Sequence, residues 1–158
     1  KVVCKMTDLT AGGFKEVLPD ATVDIAKAER VVLVSGKLFY DLDAYRDELS
    51  DKEKAKVAVL RVEQLYPYPK HLILDELKKA KKIKSVVWAQ EEPQNMGAWS
   101  YISHPMIETI EEAGFTDVEL HYIGRNFRAS PATGSMKNHL KEQNDIVERV
   151  FTLNKGKS

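Results

Sequence analysis

Four short apolar runs constrain what this chain can fold into: VVLVS at residues 31–35, VAVLRV at 57–62, SVVWAQ at 85–90 and ELHYIG at 119–124. Each is rich in β-branched residues and near-continuously apolar at its centre, the pattern of a strand covered on both faces. The KVVCKM segment at 1–6 is a candidate fifth strand. Between the runs the apolar period lengthens to that of a helix. Leu38, Leu42, Tyr45 and Leu49 predict a helix over 38–49. Pro69 is expected to open the next helix at the tolerated first-turn position, with Ile73, Leu74, Leu77 and Ala80 as its stripe. Residues 99–113 carry Ile102, Met106, Ile110 and Ala113 and stop at Gly114, while His104-Pro105 is expected to break or kink the first turn. The last helix is predicted over 135–153, with Ser135 as N-cap and Leu140, Gln143, Val147, Val150 and Phe151 along one face. Strand and helix alternating at this spacing imply an α/β fold, a three-layer α/β/α sandwich with a mostly parallel sheet of about five strands.

The 158 residues suit one domain, taken as 1–153 with 154–158 as an exposed tail. Residues 51–56 read as an exposed turn and Ala11-Gly12-Gly13 as another. The chain starts at Lys1 rather than Met, and a strand-like segment stands there without a cap, as expected of a chain that continues upstream. Lys+Arg and Asp+Glu are both 24, so no net field draws in nucleic acid or an anionic membrane. The lysine-rich KKAKKIK at 78–84 reads as the solvated end of a helix. No apolar run reaches membrane-spanning length. The single cysteine, Cys4, lies in an apolar strand-like segment with no base near in sequence and reads as an inert thiol in a reducing compartment. His71, His104, His121 and His139 show no metal-ligand spacing.

Four segments follow the four runs, and in a parallel sheet all of them emerge at the carboxyl edge, where open α/β sheets gather ligands and partners. In Ser35-Gly36-Lys37 the glycine lets the chain turn into a helix, and the lack of a full phosphate-loop pattern argues against a nucleotide cradle. Adjacent Glu91 and Glu92 suit an acid–base pair less well than loop anchoring, because neighbours at a strand end point to opposite sides. Asn95, Gly97 and Trp99 read as turn chemistry and a docked aromatic. Arg125 and Arg128 precede the last helix; they suit either a phosphate or carboxylate grip or an inter-domain salt bridge. No nucleophile–base set assembles from these residues, so they leave no complete catalytic kit.

The same segments carry a resemblance. RVEQLYPYP at 61–69 (with Arg61, Glu63 and Gln64), WAQEEPQNMGAW at 88–99, the long stretch at 122–147 and VSGKLFYDL at 34–42 resemble the C-terminal part of 2-oxoglutarate dehydrogenase, the decarboxylating component. The resemblance covers nearly the whole chain; residues 20–30 are its least distinctive part. It implies a fold like the transketolase C-terminal domain. It implies thiamine diphosphate and magnesium held by upstream domains and none held here. It implies partners in those upstream domains, in a second copy of the chain and in the dihydrolipoyl succinyltransferase component. It implies a parent enzyme that decarboxylates 2-oxoglutarate, with a bacterial cytoplasmic setting favoured over a mitochondrial matrix. A paralogue acting on 2-oxoadipate would share these motifs. Some relatives bind acetyl-CoA or AMP at this domain's edge, which would carry over to Gln64 with Lys70 and His71, although Leu72 departs from the arginine-rich pattern. A stand-alone acyl-CoA or nucleotide-binding module is the remaining alternative.

Overall fold

The computed structural model describes residues 10, 13–131 and 133–152. The predicted strand at 1–6, Cys4 and the tail at 154–158 lie outside the described residues. Five strands form one sheet: β1 (Val17–Leu18), β2 (Arg30–Val34), β3 (Val57–Val62), β4 (Ser85–Pro93) and β5 (Glu119–Arg125), in the order β1-β3-β2-β4-β5. β2 to β5 pair in parallel, and β1 alone runs antiparallel, with Val17 opposite Val62. The helices are α1 (Leu38–Glu48), α2 (Asp51–Lys54), α3 (Lys70–Leu77), α4 (Trp99–Glu112) and α5 (Met136–Phe151).

Side-chain alternation along the central strands explains why their sequences are apolar without interruption. Val31, Leu33, Ala58, Leu60, Val86 and Trp88 face one core with Ile73, Leu77, Ile102, Met106 and Ile110 of α3 and α4. Val32, Val34, Val57, Val59, Val87 and Ala89 face the other core with Leu38, Leu42, Ile146, Val147 and Val150 of α1 and α5. A sheet buried on both sides needs apolar residues at every position. The three-layer reading therefore holds.

Several details depart from the sequence reading. β1 has two residues, too few for any periodicity to announce it. Pro69 is the cap before α3 rather than its first residue. α4 continues through Pro105; its buried stripe of Ile102, Met106, Thr109 and Ile110 holds the helix to the sheet despite the missing backbone donor. Residues 51–54 form a short helix, closed by a capping box in which Ser50 and Glu53 each accept from the other's backbone N–H. In α5, Leu140 is 55% exposed and Ile146 takes the core position; Ser135 stands at the N-cap but makes no side-chain cap bond. The lysines of 78–84 are exposed, yet Ala80 and Ile83 between them are buried, so the segment is a pinned turn after α3.

α5 is fastened at its far end by Arg30, the first residue of β2. Arg30 Nη1 donates to the carbonyls of Val150, Arg149 and Thr152 at 2.8, 3.0 and 3.1 Å, and Nε donates to Ser85 Oγ at 3.1 Å. A buried cation at a helix C-terminus meets both the orphan carbonyls and the negative end of the dipole. Arg30→Met keeps the apolar stem and removes the donors. It is expected to destabilise the chain by about 2 kcal/mol in urea unfolding and to speed amide exchange in the last turn of α5.

Candidate functional site

The order of strands reverses between β2 and β4, since the chain leaves β2 toward β3 on one side and returns past it to β4 on the other. Ligand crevices of open α/β sheets form outside the carboxyl ends at such a point. Here the crevice is filled by charge. Gly36, with φ +70°, turns the chain sharply out of β2. Lys37 Nζ then reaches Glu91 Oε1 at 2.6 Å and Asp41 Oδ2 at 3.7 Å. The hydrogen bond that Lys37 donates to Glu91 raises the Lys37 pKa against the partial burial that lowers it. Gln143 of α5 donates from Nε2 to the same Glu91 oxygen at 2.9 Å and to Asp41 Oδ2 at 2.8 Å.

The chain of contacts continues along the edge. Arg125 Nη2 lies 3.3 Å from Gln143 Oε1 and 3.0 Å from His139 Nδ1, and its Nε lies 3.0 Å from Glu142 Oε2. Arg128 pairs with Glu142 at 2.8 Å. The Arg128 hydrogen bond and the charge of both arginines outweigh partial burial and lower the Glu142 pKa. Both arginines thus pair within the chain, with Glu142.

Glu91 and Glu92 point apart, as expected of neighbours on a strand. Glu91 faces α1 and α5, whereas Glu92 lies toward the loop of residues 94–99, where a Cβ on Gly97 would come within 3.1 Å of its carboxylate. They share no proton and act as separate anchors. Asn95 grips the backbone of Arg128 from both ends of its amide, at 2.9 and 3.1 Å. Trp99 packs against Tyr122 with ring centroids 5.3 Å apart and planes tilted by 53°. On the β3 side, Arg61 pairs with Glu63 at 2.7 Å and covers the Phe39 ring at 4.5 Å.

The three residues considered for an acyl-CoA or nucleotide have separate contacts. Gln64 Nε2 donates to Pro67 O at 3.2 Å and lies 3.4 Å from Glu16 Oε1. Lys70 instead pairs with Glu112 at the end of α4, at 2.8 Å. His71 is exposed on α3.

Sequence reasoning missed Gln90, Tyr122, Asp41, His139 and Glu142, and placed Gln143 on an apolar stripe. Gln90 is 4% exposed and links β4 to the loop after it. The Tyr122 hydroxyl donates toward the carbonyls of Glu92 at 2.8 Å and Arg125 at 2.9 Å. Its passage requires Gly124, where a Cβ would collide with that hydroxyl and sit 2.8 Å from Gln90 O. A glutamine closing an apolar strand run was the one visible signal.

Three carboxylates of the edge, Glu91, Asp41 and Glu142, are bound to cations or to Gln143. No cluster of three or more His, Cys, Asp or Glu able to hold a metal occurs among the described residues. No helix among them is long and apolar enough to cross a membrane.

Apolar side chains do gather there. Phe14, Tyr66, Tyr101, Phe127, Met136 and Leu140 are large, exposed, and all at the carboxyl end. Phe14 belongs there because β1 runs antiparallel and its leading residues lie beyond Val62. Tyr66 and Tyr101 stand 6.3 Å apart.

A family model described as 2-oxoglutarate dehydrogenase C-terminal matches residues 3–151. The chain is 39% identical over 155 residues to the 2-oxoglutarate dehydrogenase E1 component of Cupriavidus necator, covering 98% of this chain and 16% of that protein. It is 41% identical over 141 residues to the protein of the same name from Rickettsia felis, covering 89% of this chain and 14% of that one. For the Azotobacter vinelandii protein the values are 36% over 152 residues, 96% and 16%. The chain thus spans a small part of the length of the curated relatives it matches.

Proposed function

The chain belongs to the 2-oxoglutarate dehydrogenase C-terminal family, and from that premise we propose that it is an assembly domain of a 2-oxoglutarate dehydrogenase E1 polypeptide, docking its carboxyl edge on the domains that precede it. The observation that carries this reading is the coincidence, on one edge, of exposed Tyr66, Tyr101, Phe127, Met136 and Leu140 with loops tied together by Lys37–Glu91, Asn95–Arg128 and Arg128–Glu142. Exposed large apolar side chains with a polar surround mark interaction surfaces. Loops braced by ion pairs hold such a surface in one shape, which lowers the ordering cost of docking. In this reading the chemistry lies elsewhere in the polypeptide. Upstream domains hold thiamine diphosphate and magnesium, decarboxylate 2-oxoglutarate and pass succinyl to the lipoyl groups of the succinyltransferase. The bacterial relatives support a bacterial cytoplasmic setting.

The test joins this chain to the upstream part of the Cupriavidus necator relative and compares amide exchange with that of the isolated chain. Residues 63–69, 94–99 and 125–130 are expected to slow by roughly tenfold or more on joining, as for amides newly buried in an interface. Phe127→Ser is expected to reduce this protection and the decarboxylation rate of the joined protein, while leaving the unfolding midpoint of the isolated chain in place. Equal exchange in both forms, or 2-oxoglutarate turnover by the isolated chain, would overturn the reading.

A further inference from the structure

Arg125 ends β5, and its side chain is 7% exposed. A guanidinium has N–H donors and no acceptor, so each group that it meets must accept. Gln143 accepts through Oε1, and its amide is held in that orientation because Nε2 donates to Asp41 and Glu91. Glu142 supplies a carboxylate. The remaining group is the imidazole of His139, whose Nδ1 lies 3.0 Å from Arg125 Nη2. Nδ1 therefore carries the lone pair and Nε2 the ring proton. A second proton on this ring would go to Nδ1, the atom already engaged. The ring is half-buried, so solvent protons reach it.

That proton would reverse the contact. Nδ1 would become a donor facing a donor, with two cations at hydrogen-bond distance. His139 stands at the end of the first turn of α5, where the helix dipole also opposes a cation and no acidic residue offsets it. The charges around the ring decide how the repulsion is relieved. Arg125 of β5 and Arg128 of the next loop are cations. Lys37 and Asp41 line the same recess as His139, with Glu48 and Glu148 further along α1 and α5. Glu91 of β4 is taken up by Lys37 and Gln143. Glu142 stands three residues on from His139, on the same helix face, and it is also the carboxylate that holds Arg128, at 2.8 Å.

We propose that His139 is a proton-operated latch on the loop of residues 126–131. The neutral ring holds Arg125 in place. The protonated ring turns Arg125 away and draws Glu142 off Arg128, which is left with its backbone bonds to Asn95. The loop that presents Phe127, 75% exposed, then loosens. The bracing is complete at high pH and is lost as pH falls through the imidazole titration. Imidazoles ordinarily change charge between about pH 5 and 8, above the range in which carboxylates take up protons. The consequence for docking rests on the reading of the carboxyl edge given above, whereas the latch itself does not.

Amide exchange of the chain, expressed as protection factors to remove the intrinsic pH dependence of exchange, tests the latch. The reporters are the Arg128 N–H, which donates to Asn95 Oδ1 at 3.1 Å, and the Gln94 N–H, which donates to the Arg125 carbonyl at 3.0 Å. Both are expected to lose protection roughly fivefold or more between about pH 8 and about pH 5.5, in step with the His139 ring followed by NMR. Amides of the central strands are expected to keep theirs. His139→Asn sets an amide oxygen where Nδ1 stood and does not titrate, so both reporters should stay protected across the range. His71, His104 and His121 remain in that variant and control for other imidazoles. Constant protection in the unaltered chain overturns the proposal, as does a pH-dependent loss that persists in His139→Asn. Low protection of His139→Asn at both pH values also overturns it, since the ring would then hold the loop by shape and not by its lone pair. In the chain joined to the upstream part of the relative, the same fall in pH is expected to weaken the protection that docking confers on residues 125–130. A latch that operates in the isolated chain without that effect would stand, and would count against docking at this edge.

Discussion

Asp20→Ala is expected to lower the unfolding free energy by about 3–5 kcal/mol, the cost of stranding one partner of a buried ion pair. Arg46 of α1 and Asp20 meet at 2.9 Å with side chains only 4% and 3% exposed. Arg46 Nη1 reaches both carboxylate oxygens and the Thr22 hydroxyl, while its Nε and Nη2 have no protein partner among the described residues. Asp20 also accepts from the N–H groups of Val59 at 2.7 Å, Thr22 at 2.8 Å and Val23 at 3.0 Å. One carboxylate therefore neutralises a buried guanidinium, ends a loop and ties that loop to β3. Removing it leaves a buried charge and unpaired N–H groups together, against a total stability of about 5–15 kcal/mol for a domain. Asp20→Asn keeps an acceptor but not the charge and is expected to fall between the two. Urea unfolding at neutral pH reads all three. An Asp20→Ala loss below about 1 kcal/mol would mean that water reaches and solvates Arg46.

The same contacts set a pH dependence. Burial alone would raise the Asp20 pKa, but the N–H groups of Val59 and Thr22, the Arg46 charge and the N–H of Val23 together outweigh it and lower the value. A carboxyl whose folded pKa lies below its unfolded one, about 4, stabilises the fold fully above that unfolded value. The contribution is lost as pH falls through the folded value. The unaltered chain should thus lose stability below about pH 4 more steeply than Asp20→Asn, with the two curves converging at the acid end.

Asp20 lies in the stretch that the sequence made least distinctive, and the reason is physical. Strands and helices repeat a period, so VVLVS, VAVLRV and SVVWAQ announced the sheet, and Leu38 and Leu42 announced α1. A buried ion pair between residues 26 positions apart has no period, and Asp20 looks like any turn aspartate until the fold brings Arg46 to it. The carboxyl-edge loops were legible for a different reason: parallel strands must release them all on one side. Which partners they take there was not legible. Lys37, Glu91, Arg125 and Arg128 were marked as edge residues, but Gln143 and Glu142, which join them, stand on a helix more than a dozen residues from each. Leu140 fitted the helical stripe and yet points to solvent, because only the later turns of α5 meet the sheet.

Gln90→Leu is expected to cost about 3–4 kcal/mol, more than a typical core polar replacement, because it strands several partners at once. Gln90 Oε1 accepts from Trp88 Nε1 at 2.9 Å and from the Trp99 N–H at 3.0 Å. Its Nε2 donates to the carbonyls of Met96, Pro93 and Glu92 at 2.7, 3.2 and 3.4 Å. Leucine has similar bulk and none of these functions, so the indole N–H of Trp88, on a side chain 1% exposed, loses its acceptor in a place water does not reach. The loop comes close enough for these bonds only because Gly97 has φ +66°, where a Cβ would meet Gln90 Nε2 at 3.0 Å. Gln90→Glu separates the two halves of the side chain. It keeps the acceptor for both tryptophans and sets a carboxylate against three carbonyls, so it should preserve the Trp88 environment while releasing the loop. Tryptophan fluorescence reports the first half and amide exchange over residues 94–99 the second. The released loop also carries Asn95, which holds the backbone of Arg128. Gln90→Glu should therefore loosen residues 125–128 as well and weaken docking at the carboxyl edge without dissolving the core. A Gln90→Leu variant within about 1 kcal/mol of the unaltered chain, with unchanged fluorescence, would show that Asn95 and the Trp99–Tyr122 contact hold the loop by themselves.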